Sequence, residues 1–168
     1  MYVDKLYANN FHELYGLETI GLRYFNVYGP KQDSNGVYAA VIPLFTKLLI
    51  AHQSPVINGD GTNSRDFTFV ENVVQMNHLA LLSDNIKFIG QAFNTAAGER
   101  YDMNMLVKFL KQYLSEYDPE IAKVKIEHGP NRRGDILHSL ASIEKTKKLL
   151  RYRPSHTLEQ GLKLAVKW

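Results

Sequence analysis

Leu22-Arg23-Tyr24-Phe25-Asn26-Val27-Tyr28-Gly29-Pro30 reads as a strand that runs straight into a polar, glycine-marked loop. Apolar and aromatic residues crowd Thr19 to Phe25, as a parallel strand buried on both faces requires. Asn26 then brings a short amide, and Gly29-Pro30 breaks the chain. In open α/β sheets ligands gather at such carboxyl ends of strands, so the chemistry is to be sought just past Phe25. On the N-terminal side, Val3, Leu6, Tyr7, Phe11 and Leu14 recur at helical spacing and Gly16 supplies a stop, which predicts a helix over 2–15. A parallel strand entered this way needs neighbours, and the first 50 residues offer no other strong candidate. The strand at 19–25 is therefore expected to present an orphan edge.

On the C-terminal side, Gly29 to Val37 is turn chemistry. Val41, Ile42, Leu44, Phe45, Leu48 and Leu49 then mark a helix whose start falls near Tyr38 to Ala40, with Pro43 tolerated near the first turn. Pro55-Val56-Ile57, the turn Asn58 to Gly61 and the alternating run Arg65 to Val70 predict a small hairpin. A helix from Val70 to about Ser83 and a short strand at Ala92 to Thr95, closed by Gly98, come next. Asp102 can cap a long helix carrying Met103, Leu106, Val107, Leu110, Tyr113 and Leu114, which Asp118-Pro119 ends. The remainder reads as a strand at Val124 to Glu127, a polar loop from Gly129 to Asp135, a helix from Ser142 to Leu150, and a last helix from Leu158 to Trp168. Ser155 and Thr157 are both candidate caps for that helix.

Composition narrows the function. The chain has 168 residues, 45% of them hydrophobic, enough for one core or for two small lobes sharing one. A net charge of +3 suits an anionic small molecule, but no basic stripe marks a nucleic-acid interface. There is no cysteine, hence no disulfide framework or thiol nucleophile. Apolar runs fall far short of the roughly 18 residues of a membrane span, and no signal-peptide core opens the chain, so no membrane association and a cytoplasmic location are expected. The six histidines are scattered, and no metal site is expected.

Four polar clusters lie on loops or element ends, where function concentrates. Asn26 can donate an amide hydrogen to a phosphate or bond the following turn. The helix start around Ala39 to Val41 exposes backbone N–H groups to an anion, as every helix start does. Arg65 can reach a ligand or form a local ion pair with Asp66 beside it. Arg132-Arg133-Gly134-Asp135 places two cations and an acid around a glycine. Two arginines and a helix end are what a diphosphate needs, which favours a nucleotide or phosphosugar ligand. No Gly-x-Gly-x-x-Gly loop, P-loop or Gly-x-Ser-x-Gly elbow is present, and Tyr2 and Lys5 lack the one-turn spacing that would let the lysine tune the tyrosine.

Taken together, Leu22 to Gly29 (LRYFNVYG), Asn35 to Pro43 (NGVYAAVIP), Ile57 to Phe67 (INGDGTNSRDF) and Arg132 to Ser139 (RRGDILHS) resemble the C-terminal half of the extended short-chain dehydrogenases/reductases of the NAD-dependent epimerase/dehydratase family. The resemblance covers essentially the whole chain and is strongest to the bacterial UDP-N-acetylglucosamine 4-epimerases. It implies an α/β fold: an incomplete Rossmann-type parallel sheet plus a small α+β substrate-binding lobe. Residues 1–30 would be a remnant of the NAD-binding domain and 31–168 mainly the substrate lobe, with about 66–95 returning to the sheet. The family's catalytic lysine aligns with Met1, and its tyrosine and Ser/Thr precede it, so no catalytic residue is expected here.

By the same resemblance Phe25 would edge the nicotinamide pocket of NAD, a cofactor of the complete enzyme that this stretch would not retain. Asn26 and the N–H groups of Ala40 and Val41 would meet the UDP diphosphate, and Val56, Ile57 and Asn58 would flank uracil. Arg65 and Arg132 would neutralise the phosphates and Asp135 would bond the ribose. The implied activity is interconversion of UDP-GlcNAc and UDP-GalNAc through a 4-keto intermediate. The alternatives are a related sugar-nucleotide dehydratase or decarboxylase, and a non-catalytic nucleotide-binding or assembly module. A homo-oligomer or an N-terminal half is the expected partner.

Overall fold

In the computed structural model, residues 2–33, 40–83 and 86–168 are described, 2–5 and 86 by their backbone alone. The predicted helix start at Tyr38 and Ala39 and the Asn35 end of its motif therefore lie outside the described residues. Helix α1 (Tyr2–Tyr15) ends at Gly16, whose φ of 65° is the left-handed turn that closes helices, with its N–H on the His12 carbonyl at 2.9 Å. Strand β1 (Ile20–Tyr24) follows, then β2 (Val27–Tyr28), α2 (Val41–Ile50), β3 (Val56–Asn58), β4 (Ser64–Arg65), β5 (Thr68–Phe69) and α3 (Val70–Leu81). The second half supplies β6 (Gln91–Thr95), β7 (Tyr101–Asp102), α4 (Met103–Leu114), β8 (Glu127–Gly129), α5 (Glu144–Leu150) and α6 (Leu158–Ala165).

The strands join in four pairs. β1 runs parallel to β6 from Ile20↔Gln91 to Tyr24↔Thr95, β2 parallel to β5, β3 parallel to β8, and β4 antiparallel to β7. The parallel α/β class expected from the sequence is thus present. Strand β1 is paired along one edge by a strand some 70 positions later, so only its other edge is open among the described residues. The predicted hairpin over 55–70 does not form. Its first arm crosses to β8, and its second is cut at Asp66-Phe67 into β4 and β5, which go to different partners because Asp66 turns inward to be buried. The strand placed at Val124 to Glu127 lies later, at Glu127–Gly129, since Pro119–Lys123 forms a 3₁₀ turn capped by Asp118. The helix predicted from Ser142 starts at Glu144, and the last helix ends at Ala165. Of its two candidate caps Thr157 is the one used, in a reciprocal box with Gln160.

Two cores result. The larger collects Tyr28, Phe45, Leu49, Ile57, Phe69, Leu106, Leu110, Leu158 and Leu162 from α2, α4, α6 and the strands between them. The smaller, with Met76, Phe93, Ile143 and Tyr152, packs α3 and α5 on the β1–β6 pair. Tyr28 ties the first core to α6 by donating its hydroxyl to the Leu158 carbonyl at 3.0 Å. One turn on, Gly161 lets that helix lie directly on the strands: a Cβ there would meet the Tyr28 hydroxyl and stand 2.8 Å from the Phe69 ring. In an exposed helix interior Gly→Ala stabilises by roughly 0.5–1 kcal/mol. Gly161→Ala is expected to have the opposite sign and to destabilise by about 1–3 kcal/mol through overpacking, read as a lower urea midpoint at unchanged slope.

Candidate functional site

The carboxyl end of β1 is where the site is built. Asn26 takes up φ 35°, a left-handed conformation that asparagine tolerates better than most residues, and so bends the chain from β1 toward β2. Its Nδ2 donates to the Asp66 carbonyl at 2.9 Å, and its own carbonyl accepts from the Thr68 N–H at 3.2 Å. Asn26 therefore holds the Arg65–Thr68 segment against the strand end while remaining exposed itself, with a second amide hydrogen to offer. Phe25 just before it is half-buried, packed on the smaller core.

Arg65 emerges from β4 and meets Asp135, from a loop 70 residues away, with Nη2 2.6 Å from Oδ1. Asn63 donates to the other carboxylate oxygen at 3.0 Å, and Arg65 Nη1 donates to the Ser64 carbonyl at 2.9 Å. Backbone pairing sets up this meeting. The Ser64 N–H donates to the Leu137 carbonyl at 2.8 Å and the Ser139 N–H to the Ser64 carbonyl at 3.0 Å, laying 137–139 alongside β4. The local ion pair of Arg65 with Asp66 is not formed, because Asp66 points the other way. Arg65 and Asp135 keep 19% and 28% of their side chains exposed, so the pair faces solvent on one side and is reachable by a ligand.

Asp66 is fully buried and organises the ground beneath the site. One carboxylate oxygen accepts from the Ala97 N–H at 3.0 Å, the other from Gly98 at 3.1 Å and Ala141 at 3.3 Å. Burial pushes its pKa up to about 6 against the opposing pull of those three N–H groups. This residue was missed in the sequence because a carboxylate beside an arginine reads as its partner; the DF pair between two alternating strands was the available signal.

The other predicted positions divide. Val56 and Asn58 are exposed on β3, whereas the Ile57 side chain is buried on the opposite face, as alternation along a strand demands. On the Val56 and Asn58 face Ile57 can offer only its backbone. The Gly59 N–H donates to the Gly129 carbonyl at 2.9 Å, which brings the end of β3 to the start of the 129–135 loop. In that loop the Asp135 N–H donates to the Arg132 carbonyl at 3.2 Å around Gly134, whose φ is 81°, and the Arg132 side chain is exposed. Ala40 is the N-cap of α2 and its side chain supplies no cap, so the first N–H groups of that helix, Val41 included, are not capped by Ala40. Among the described residues no hydrogen bond links Ala40 or Val41 to Asn26, Asp66, Arg65 or Asp135. Among the described residues no group of three histidines or carboxylates could hold a metal ion, and no helix is long and apolar enough to cross a membrane.

An arginine, an amide and an acid near a strand end, with Arg132 in the loop that carries the acid, offer donors and acceptors suited to a phosphate ester and a hydroxylated ring. The GDP-mannose 4,6 dehydratase family model matches residues 2–165. A UDP-glucuronate 4-epimerase of Thermodesulfobacterium geofontis is 30% identical over 165 residues, 98% of this chain and 47% of that protein. The UDP-N-acetylglucosamine 4-epimerase of Methanobrevibacter ruminantium, solved with UDP-N-acetylmuramic acid, superposes with a TM-score of 0.87 at 39% identity over 99% of this chain and 51% of its own. The UDP-glucose 4-epimerase of Thermus thermophilus, solved with NAD, gives a TM-score of 0.80 at 26% identity over 98% of this chain and 50% of its own. The chain thus spans about half the length of the relatives it matches.

Proposed function

The chain belongs to the NAD-dependent epimerase/dehydratase family, and from that premise we propose that it is the UDP-sugar-holding half of a nucleotide-sugar 4-epimerase acting on UDP-GlcNAc and UDP-GalNAc. In this reading residues 1–30 belong to the NAD-binding domain and 31–168 mainly to the substrate lobe. The observation that carries it is the pairing of Arg65 with Asp135, which puts two distant motif loops on one exposed spot beside Asn26. There a diphosphate would draw Arg65 and Arg132 and the remaining Asn26 amide hydrogen, the N–H groups at Ala40 and Val41 would meet it at the helix start, and Asp135 would turn to a ribose hydroxyl. Uracil would lie along the Val56 to Asn58 backbone. Charge-assisted, bidentate contacts of this kind hold a phosphate firmly while the distal sugar stays free to turn. Such a remote anchor positions the reacting carbon without touching it.

NAD supplies the hydride acceptor for oxidation at C4 of the sugar when it is bound in a complete enzyme of this kind. On this chain its fit is partial: Phe25, half-buried at the strand end, would edge the nicotinamide, and these residues carry no glycine-rich loop to receive the pyrophosphate. These residues therefore account for holding the sugar nucleotide and not for oxidising it. Leu6, Tyr7, Phe11, Leu14 and Tyr15 of α1 are exposed, and favour a covered face, from an N-terminal half or a second copy, in the working assembly.

The base is the test of this reading against the dehydratase alternative. UDP-GlcNAc and UDP-glucose are expected to raise the melting temperature saturably, and GDP-mannose is expected to leave it unchanged at the same concentration. A larger shift with GDP-mannose would move the assignment to the dehydratase branch.

A further inference from the structure

Behind the strand that carries Val56 and Asn58 lies a cavity of about 530 Å3, between α4, the 3₁₀ turn and the β3–β8 pair. Its floor is apolar, made by Ile57, Val107 and Ile126, and its rim carries the cations Lys108 and Lys111 with the His128 imidazole beside them. No Asp or Glu lines it among the described residues. The size is that of a small-molecule pocket rather than of a packing defect. It opens on the face of β3 opposite to the one assigned above to uracil, since Ile57 points into it while Val56 and Asn58 point away.

The rim groups have hydrogen-bonding capacity to spare. Lys111 Nζ donates to the Val124 carbonyl at 2.7 Å, which uses one of three ammonium hydrogens. His128 Nδ1 donates to the Gly59 carbonyl at 2.8 Å, which leaves Nε2 as an acceptor, so the lysines are the donors available to an anion. Lys108 is exposed one turn from Lys111. An apolar slot with cations along one side matches a ring or short alkyl body carrying a phosphate or carboxylate. It matches neither a bare inorganic anion, which would waste the floor, nor a neutral hydrocarbon, which would waste the rim.

We propose that this cavity is a second ligand site of the chain, for a small amphipathic anion, separate from the nucleotide anchor. Ile57 of the floor and His128 of the rim stand in register in the β3–β8 pair, and β8 leads directly into the loop that carries Arg132 and Asp135. A ligand there presses on the backbone of both strands that reach the anchor.

Phenyl phosphate is the probe, followed by amide and imidazole chemical shifts, with inorganic phosphate and benzyl alcohol titrated separately and the phenyl phosphate series repeated under saturating UDP. Saturable shifts at Ile57, Val107 and His128 are expected, with inorganic phosphate and benzyl alcohol each at least about tenfold weaker. Lys108→Glu, an exposed change that leaves the fold intact, is expected to weaken phenyl phosphate by at least about tenfold. UDP is expected to leave the cavity shifts in place. Shifts confined to Asn26, Arg65 and Asp135 and abolished by UDP would overturn the proposal. So would unchanged affinity in Lys108→Glu, equal binding of inorganic phosphate, or no saturation at millimolar probe. The comparisons with inorganic phosphate, benzyl alcohol and Lys108→Glu do not depend on whether the chain binds UDP by itself.

Discussion

Asp66→Ala is expected to destabilise the protein by roughly 3–5 kcal/mol near pH 5, because it strips three backbone N–H groups of their common acceptor at about 1–3 kcal/mol each. Those donors, Ala97, Gly98 and Ala141, belong to the loop after β6 and to the segment before α5, so one side chain joins β4 and β5 to both. The Gly98 donor position is held to glycine, since its φ is 77° and any Cβ there would stand 2.6 Å from Ile143. The loss should also depend on pH in a defined direction. The folded pKa of about 6 lies above the ordinary 3.8, so the folded state binds the extra proton and the stability this provides is complete below about 3.8. It fades as pH rises through about 6. The difference between the wild type and Asp66→Ala is thus expected to shrink by about 2 kcal/mol between pH 4.5 and pH 7.5. Urea melts across that range read it directly; a difference that grew with pH would mean that Asp66 is ionised and favoured in the fold.

Asn72→Ala is expected to cost roughly 2–3 kcal/mol by the same logic at the other end of α3 packing. Asn72 is fully buried, and its Oδ1 accepts from the Ser155 N–H at 2.8 Å, the Ser155 hydroxyl at 3.0 Å and the His156 N–H at 3.0 Å. Its Nδ2 donates to the His156 carbonyl at 2.8 Å. The amide thus acts as a surrogate backbone that pins the 155–156 turn just ahead of the Thr157 cap of α6. Hydrogen exchange is expected to show the loss as faster exchange at Ser155, His156 and the first turn of α6, with α4 protection lowered only by the global change. Uniform loss everywhere would mean that the turn and α6 unfold with the whole domain and that Asn72 has no local role.

How much of this was legible in the sequence follows from which interactions are local. Helices α1, α3 and α4 follow their apolar spacing, and the Asp102 cap of α4 is realised, its side chain accepting from the Met105 N–H, because periodicity and caps are encoded within a few residues. The hairpin over 55–70 failed for the opposite reason. Its turn chemistry at Asn58 to Gly61 is real, with positive φ at Gly59 and Gly61, but it serves a crossing between two partners, β8 and β7, that lie some 70 and 37 positions downstream. Arg65 pairs with Asp135 and not with Asp66: nothing adjacent to it indicates Asp135, whereas Asp66 stands next to it in the chain. Asp66 and Asn72 look like ordinary polar residues until the backbone groups they serve, from residues 97 to 156, are brought to them. Where resemblance and chemistry agreed, at Asn26, Arg65 and Asp135, the residues lie within one connected set of bonds, and Arg132 shares its loop with Asp135.

Calorimetric titration of this chain with UDP, alongside Arg132→Ala, addresses the nucleotide anchor most directly. Saturable one-to-one binding is expected, weakened by about 10–100-fold in Arg132→Ala, since removing a guanidinium from a phosphate costs roughly 1.5–3 kcal/mol. Arg132 is exposed and its side chain bonds to nothing among the described residues, so the substitution should leave the melting temperature unchanged and the comparison clean. Equal affinity in the two proteins, or no heat of binding from a chain that melts cooperatively, would contradict the assignment of this strand end as a diphosphate anchor.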